Sequence, residues 1–143
     1  HIKLKFPTII ELYYKKILFN QLYLVMEFAN SGNLSKWILN HKSQEKKLDE
    51  ELILTWFTEV LLGIYYMHKK QLIHRDIKPD NIFISEIENK NSGNVKADNI
   101  HKFIAKIGDL GISKVTENNA YTICGTYHYM APEIIFGKKY NNK

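Results

Sequence analysis

The chain has 143 residues, 45% of them hydrophobic and 24% charged, which is a globular composition long enough for one sizeable core and excludes an intrinsically disordered chain. Its net charge of +5 comes from 20 Lys and Arg against 15 Asp and Glu, scattered without a block, so the basic balance reads as a solvated surface and not as a nucleic-acid face. A single cysteine, Cys124, excludes an internal disulfide framework and suits a reducing compartment, and no apolar run approaches the roughly 20 residues of a membrane helix.

The opening HIKLKFPTII has neither an initiator Met nor a signal-like apolar region and reads as a chain joined midway. Residues 8–14 (TIIELYY) and 22–28 (LYLVMEF) are β-rich runs separated by KKILFNQ, a pattern that predicts an antiparallel hairpin. Gly32 and Asn33 then break the strand. Leu34, Trp37 and Ile38 stand at i, i+3 and i+4, so a short helix is expected with Asn33 as its N-cap. The polar run 41–47 reads as a surface connection.

Asp49 is the expected N-cap of the strongest helix, with Glu50 and Glu51 in the first turn, where the helix dipole favours negative charge. Ile53, Trp56, Phe57, Val60, Leu61 and Ile64 form one continuous apolar stripe that needs a large surface to cover it. His68, Lys69 and Lys70 suit the C-terminal end. Residues 85–103 are polar, Asn/Lys-rich and aperiodic, which predicts a surface insertion, and loop closure makes such length cheap. Ile104 to Ile107 resume a strand.

Between these elements lies HRDIKPDN, residues 74–81, which sets an acid, a base, a second acid and an amide on one short loop. Asp76 and Asn81 have the H-R-D-x-x-x-x-N spacing of a catalytic loop for phosphoryl transfer. Asp109-Leu110-Gly111 and Ala131-Pro132-Glu133 follow in order. With these motifs the chain resembles a eukaryotic-type serine/threonine protein kinase over nearly its whole length. The resemblance implies an α+β, protein-kinase-like fold. Residues 1–28 would be a small-lobe hairpin and hinge, and 29–143 the upper part of a helical large lobe, with the catalytic loop at 74–81 and an activation segment at 109–133.

The same resemblance implies ATP and Mg²⁺ as cofactors and a protein Ser or Thr hydroxyl as acceptor. Asp76 would orient the proton of that hydroxyl, Lys78 would reach the γ-phosphate, and Thr126 would hydrogen-bond near both. Asn81 and Asp109 would hold Mg²⁺ through hard oxygen ligands. Met26 would be the gatekeeper, Glu27 to Ala29 the hinge whose backbone meets the adenine edge, and Phe83 the floor beneath adenine. Phe6-Pro7 stands where a His-Pro is usual, and Leu110 departs from the commoner Phe. His74 reads as a scaffold, not as a base. Thr122 takes the place of an activating phosphothreonine, made by an upstream kinase and paired with Arg75, with Tyr121 and Thr116 as weaker candidates. An intracellular, cytoplasmic setting follows from the resemblance.

No glycine-rich phosphate loop, ATP-anchoring Lys or partner Glu falls within the sequence, and the helix expected to cover the Ile53–Ile64 stripe lies beyond residue 143. The chain therefore reads as an excerpt of a kinase domain, inactive alone. The alternative is a truncated, non-catalytic kinase remnant that binds a partner through its apolar face.

Overall fold

The computed structural model describes residues 4–87, 102–115 and 124–141. Strands β1 (Leu12–Leu18) and β2 (Gln21–Met26) pair antiparallel, with Leu18 opposite Gln21. The turn is therefore only Phe19-Asn20, and both residues have positive φ, 48° and 63°, as a primed two-residue turn requires. This corrects the expected hairpin limits: Lys15 and Lys16 lie inside the strand, not in the loop. Both strands are exposed along their length, so lysines fit there as well as apolar residues do.

The run 8–14 is divided between two tasks. Its second half begins β1, while Thr8–Ile10 lies alongside the strand that precedes Asp109. The Ile10 N–H donates to the Ile107 carbonyl at 2.8 Å, and the Ile107 N–H donates to the Thr8 carbonyl at 2.9 Å. Ile9 is consequently buried, with 1% of its surface exposed.

Helix α1 (Leu34–Ser43) is capped as expected, with the Asn33 side chain accepting from the Lys36 N–H at 3.0 Å. The helix continues through His41–Ser43, so the polar connection is shorter than its composition indicated. Helix α2 (Glu50–Lys69) starts at Asp49, whose carboxylate accepts from Glu51 and Leu52 N–H at 2.9 and 3.3 Å. A short strand β3 (Leu72–Ile73) leads into residues 74–81 and pairs with β6 (Lys114–Val115). Strands β4 (Ile82–Glu86) and β5 (Phe103–Ile107) form an antiparallel ladder from Ile82–Ile107 to Glu86–Phe103. The ladder goes on to an Ile87 N–H bond with the Lys102 carbonyl, so both ends of the expected insertion belong to the hairpin. Helix α3 (Pro132–Ile135) follows the Ala131 position.

The core lies where α2 crosses the β4–β5 pair. Ile84, Ala105 and Ile107 are fully buried, and Trp56 and Met67 nearly so. Each such large side chain contributes about 1.5–3 kcal/mol relative to exposure. Trp56 meets Trp37 edge-to-face, with ring centroids 5.1 Å apart, which fixes α1 against α2. The α2 stripe is split: Trp56, Val60 and Ile64 pack on this core, while Ile53, Phe57 and Leu61 stay exposed. Part of that open side, with Leu34, Ile38 and Tyr129, lines an apolar groove of about 490 Å³. The surface expected from outside the chain is therefore needed for only part of the stripe. No described helix is long and apolar enough to cross a membrane.

Gly63 sits at the closest approach of α2 to the sheet. A Cβ there would lie 2.8 Å from Ile107 Cδ1 and 3.1 Å from the Thr8 carbonyl oxygen, which is backbone and cannot swing aside. Replacing Gly by Ala gains about 1 kcal/mol of helix propensity, but overpacking costs about 1–3 kcal/mol. Gly63→Ala should therefore lower stability by about 1 kcal/mol in a urea titration of the full-length protein. A midpoint equal to or above wild type would show that the contact yields easily.

Candidate active site

Strand β3 delivers His74 into the interior, where it is only 4% exposed. The Asp76 N–H donates to His74 Nδ1 at 3.2 Å, so the ring proton resides on Nε2, which lies 2.8 Å from the Gly108 carbonyl and donates to it. Burial pushes the imidazole pKa down, and this outweighs the opposing influence of the Gly108 carbonyl and of Asp76 and Asp109. His74 thus ties the loop to the residue before Asp109 as a neutral bridge, the scaffold role expected of it. Arg75 follows in the left-handed region at φ 72°.

Asp76 is the hub. Its Oδ1 accepts from the Thr126 N–H at 2.8 Å and from the Thr126 hydroxyl at 2.7 Å. Its Oδ2 lies 2.9 Å from the Lys78 ammonium and accepts from Asn81 Nδ2, also at 2.9 Å. Lys78 in turn donates to Thr126 Oγ1 at 2.6 Å. Desolvation raises the Asp76 pKa, but the bonds from Lys78 and Thr126 more than offset it and bring the value to about 2. The Lys78 pKa moves up, chiefly through its bond to Asp76. Gly125 makes this closure possible: it adopts φ +113°, and a Cβ there would collide with the Arg75 carbonyl.

The 3-10 turn Pro79–Asn81 returns the chain to β4, and Asn81 is buried. Its Nδ2 also donates to the Asp76 carbonyl at 2.9 Å, so both amide hydrogens are committed to Asp76 and Oδ1 is the atom left for a cation. The Gly108 N–H donates to the Asn81 carbonyl at 2.9 Å, which joins the loop to the entry of Asp109. Asp109 is left-handed at φ 52°, with Oδ1 accepting from the Gly111 N–H at 3.3 Å. Leu110, where Phe is commoner, packs against the core as a partly buried apolar side chain. No cluster of three or more His, Cys, Asp or Glu among the described residues could hold a metal unaided. One carboxylate and one amide oxygen fit a hard cation that takes its remaining oxygens from phosphates and water.

The expected adenine side lies on the connection from β2. Met26 ends β2 opposite Leu12, and the Glu27 N–H donates to the Glu11 carbonyl at 2.8 Å. After Ala29 the chain is stitched to β4: the Ser31 N–H donates to Ile84, and the Ile84 N–H to Gly32. Asn33, besides capping α1, donates to the Asp80 carbonyl at 3.2 Å. Phe83 lies on β4 with its ring against Gly108, where a Cβ would come within 2.6 Å of Phe83 Cδ2. Gly108, having no side chain, thus leaves the room that the Phe83 ring occupies.

Asp76, Lys78, Asn81 and Thr126 are brought into one hydrogen-bonded group, and Asp109 is tied to it through Gly108. Thr122, Thr116 and Tyr121 lie outside the described residues. Sequence reasoning missed Lys106, whose ammonium is 2.5 Å from the Glu27 carboxylate. It also missed Glu59, which accepts the Ala105 N–H at 2.8 Å from α2. Neither residue belongs to a local motif. Only the strand pairing brings them into place.

The lowered His74 pKa sets a pH dependence. The unfolded imidazole binds its proton near pH 6.5 and the folded one only below that, so acidification through this value favours the unfolded chain. This contribution is whole above pH 6.5 and is lost as pH falls below it. Urea titrations between pH 7.5 and 5 should show decreasing stability, with a shallower decline in His74→Gln. Equal slopes would exclude His74 as the source.

The comparisons agree with this geometry. The sequence pattern described as the protein kinase domain matches residues 1–143. The chain is 39% identical over 142 residues to the serine/threonine-protein kinase Nek8 of Danio rerio, covering 98% of this chain and 18% of that protein. It is 36% identical over 144 residues to Nek5 of Homo sapiens, covering 99% of this chain and 18% of that protein. It is 33% identical over 148 residues to nekl-2 of Caenorhabditis elegans, covering 99% of this chain and 38% of that protein. The chain thus spans a minor part of the length of these relatives. A match along its whole length, on a loop folded around Asp76, places the chain in the protein kinase family.

Proposed function

We propose that the chain carries the catalytic-loop part of an ATP-dependent protein kinase that phosphorylates Ser or Thr hydroxyls. The observation that supports this most is the convergence of Lys78, Thr126 and Asn81 on the Asp76 carboxylate, all within 2.9 Å. A partner-binding remnant would have no use for it.

At a pKa of about 2 Asp76 is ionised at neutral pH and is a weak proton acceptor. Its part is to orient the substrate hydroxyl by accepting its hydrogen bond, taking the proton only as the new bond to phosphorus forms. Lys78 places a positive charge beside the same carboxylate, where the γ-phosphate of ATP would stand, and Thr126 fixes the activation segment to both. Asn81 Oδ1 and the Asp109 carboxylate would hold Mg²⁺, which when bound offsets charge on the nucleotide phosphates. Met26, Glu27, Ala29 and Phe83 would frame the adenine. Most of the task is positioning and charge compensation, which a rigid network supplies.

Arg75 is assigned to phosphorylated Thr122, modified by an upstream kinase, and a cytoplasmic setting accords with the single cysteine. The acceptor is a protein segment presenting Ser or Thr, and nucleic acid has no part in this reading.

Two measurements test the proposal in the full-length protein. Asp76→Asn should lower phosphate transfer from labelled ATP to a Ser/Thr peptide by about 10²-fold or more while ATP still binds. A loss of only a few-fold would refute the role of Asp76. Thr122→Ala should lower the rate by about tenfold, the consequence of losing an ordering phosphate–Arg pair. An unchanged rate would remove Thr122 from the scheme.

A further inference from the structure

Glu27 is held at three points. Its N–H donates to Glu11, one carboxylate oxygen accepts the Glu11 N–H at 3.2 Å, and the other meets the Lys106 ammonium. The side chains of this ion pair are only 13% and 20% exposed, so solvent screens it less than an open surface pair.

The two ends of the pair are anchored very unequally. Lys106 belongs to β5, between Ala105 and Ile107, both fully buried. That strand is paired with β4 on one side and bonded to Thr8 and Ile10 on the other, and Glu59 of α2 holds the Ala105 N–H. Glu27 instead follows a hairpin exposed along both strands, and the next residue, Phe28, is 84% exposed. An ion pair between a buried strand and an exposed connection fixes the connection.

We infer that Lys106 is a positioning residue for nucleobase recognition: through the Glu27 carboxylate it fixes the Glu27 carbonyl, and thereby sets a preference for adenine over guanine. This rests on the kinase reading above. Adenine presents a 6-amino donor where guanine presents a 6-oxo acceptor. A carbonyl held in place accepts from the first and opposes the second, since two facing acceptors leave both without a partner. A carbonyl free to turn aside distinguishes them less. The effect lies in the ratio of affinities, because general loosening of the fold would weaken both nucleotides alike.

The test is competition of ATP and GTP, each with Mg²⁺, against a fluorescent ATP analogue bound to the full-length protein. Lys106→Met should reduce the ATP-over-GTP preference by about fivefold or more, the worth of one well-placed hydrogen bond, and Lys106→Arg should keep it. Should Lys106→Met not fold, Glu27→Gln, which keeps the shape and removes the charge, should show the same reduction. A ratio unchanged from wild type, or ATP and GTP weakened equally, overturns the inference and leaves the kinase reading standing. A wild-type protein that binds neither nucleotide overturns both.

Discussion

The Asp76 carboxylate is the point at which three separate stretches of chain are made to agree. Lys78 and Asn81 reach it from its own loop, Thr126 reaches it from fifty residues further along the chain, and Asn81 links it to Gly108. An ionised carboxylate accepting several bonds is far more demanding of its surroundings than a neutral group, since each donor shortens and strengthens under charge assistance. Thr126 is therefore fixed by the same carboxylate that holds Lys78 and Asn81. The geometry of the 74–81 loop and that of the chain at Thr126 are one hydrogen-bond problem here, not two.

That arrangement holds the backbone in costly conformations. Arg75 and Asp109 are both left-handed without being glycine, at a cost of order 1–3 kcal/mol each. They are retained because neighbours over-determine them. His74 is bonded to Gly108 on one side and to the Asp76 N–H on the other, and β4 and β5 are zipped together immediately behind. The core of α2 against β5 thus does more than stabilise the fold: it fixes the strand ends at which Asn81 and Asp109 leave the sheet.

Much of this was legible in the residue order, for an identifiable reason. Asn33 and Asp49 were readable as caps because capping is local chemistry between a side chain and N–H groups two or three residues on. HRDIKPDN, Asp109 and Thr126 were readable because they belong to motifs whose spacing is a property of the loops themselves. Tertiary pairings were not readable. The turn at Phe19-Asn20 puts a phenylalanine at positive φ, which no propensity announces. The run 8–14 looked like one strand because apolar character does not distinguish an edge that joins Ile107 from one that joins β2. Lys106 appeared as one more scattered cation until the ladder placed it against Glu27. Phe83 and Gly108 explain each other only once β4 and β5 are side by side.

The β4–β5 hairpin works like a pair of tweezers whose arms are joined by the ladder. Asn81 and the approach to Asp109 sit at one end, and the Ile87–Lys102 bond closes the other. Because the ladder fixes the register of both arms, a one-residue slip of either arm would turn its buried side chains to the opposite face and displace Asn81 relative to the approach to Asp109. The burial of Ile84, Ala105 and Ile107 is thus also a ruler: it sets how far apart the two ends of the ladder deliver their residues.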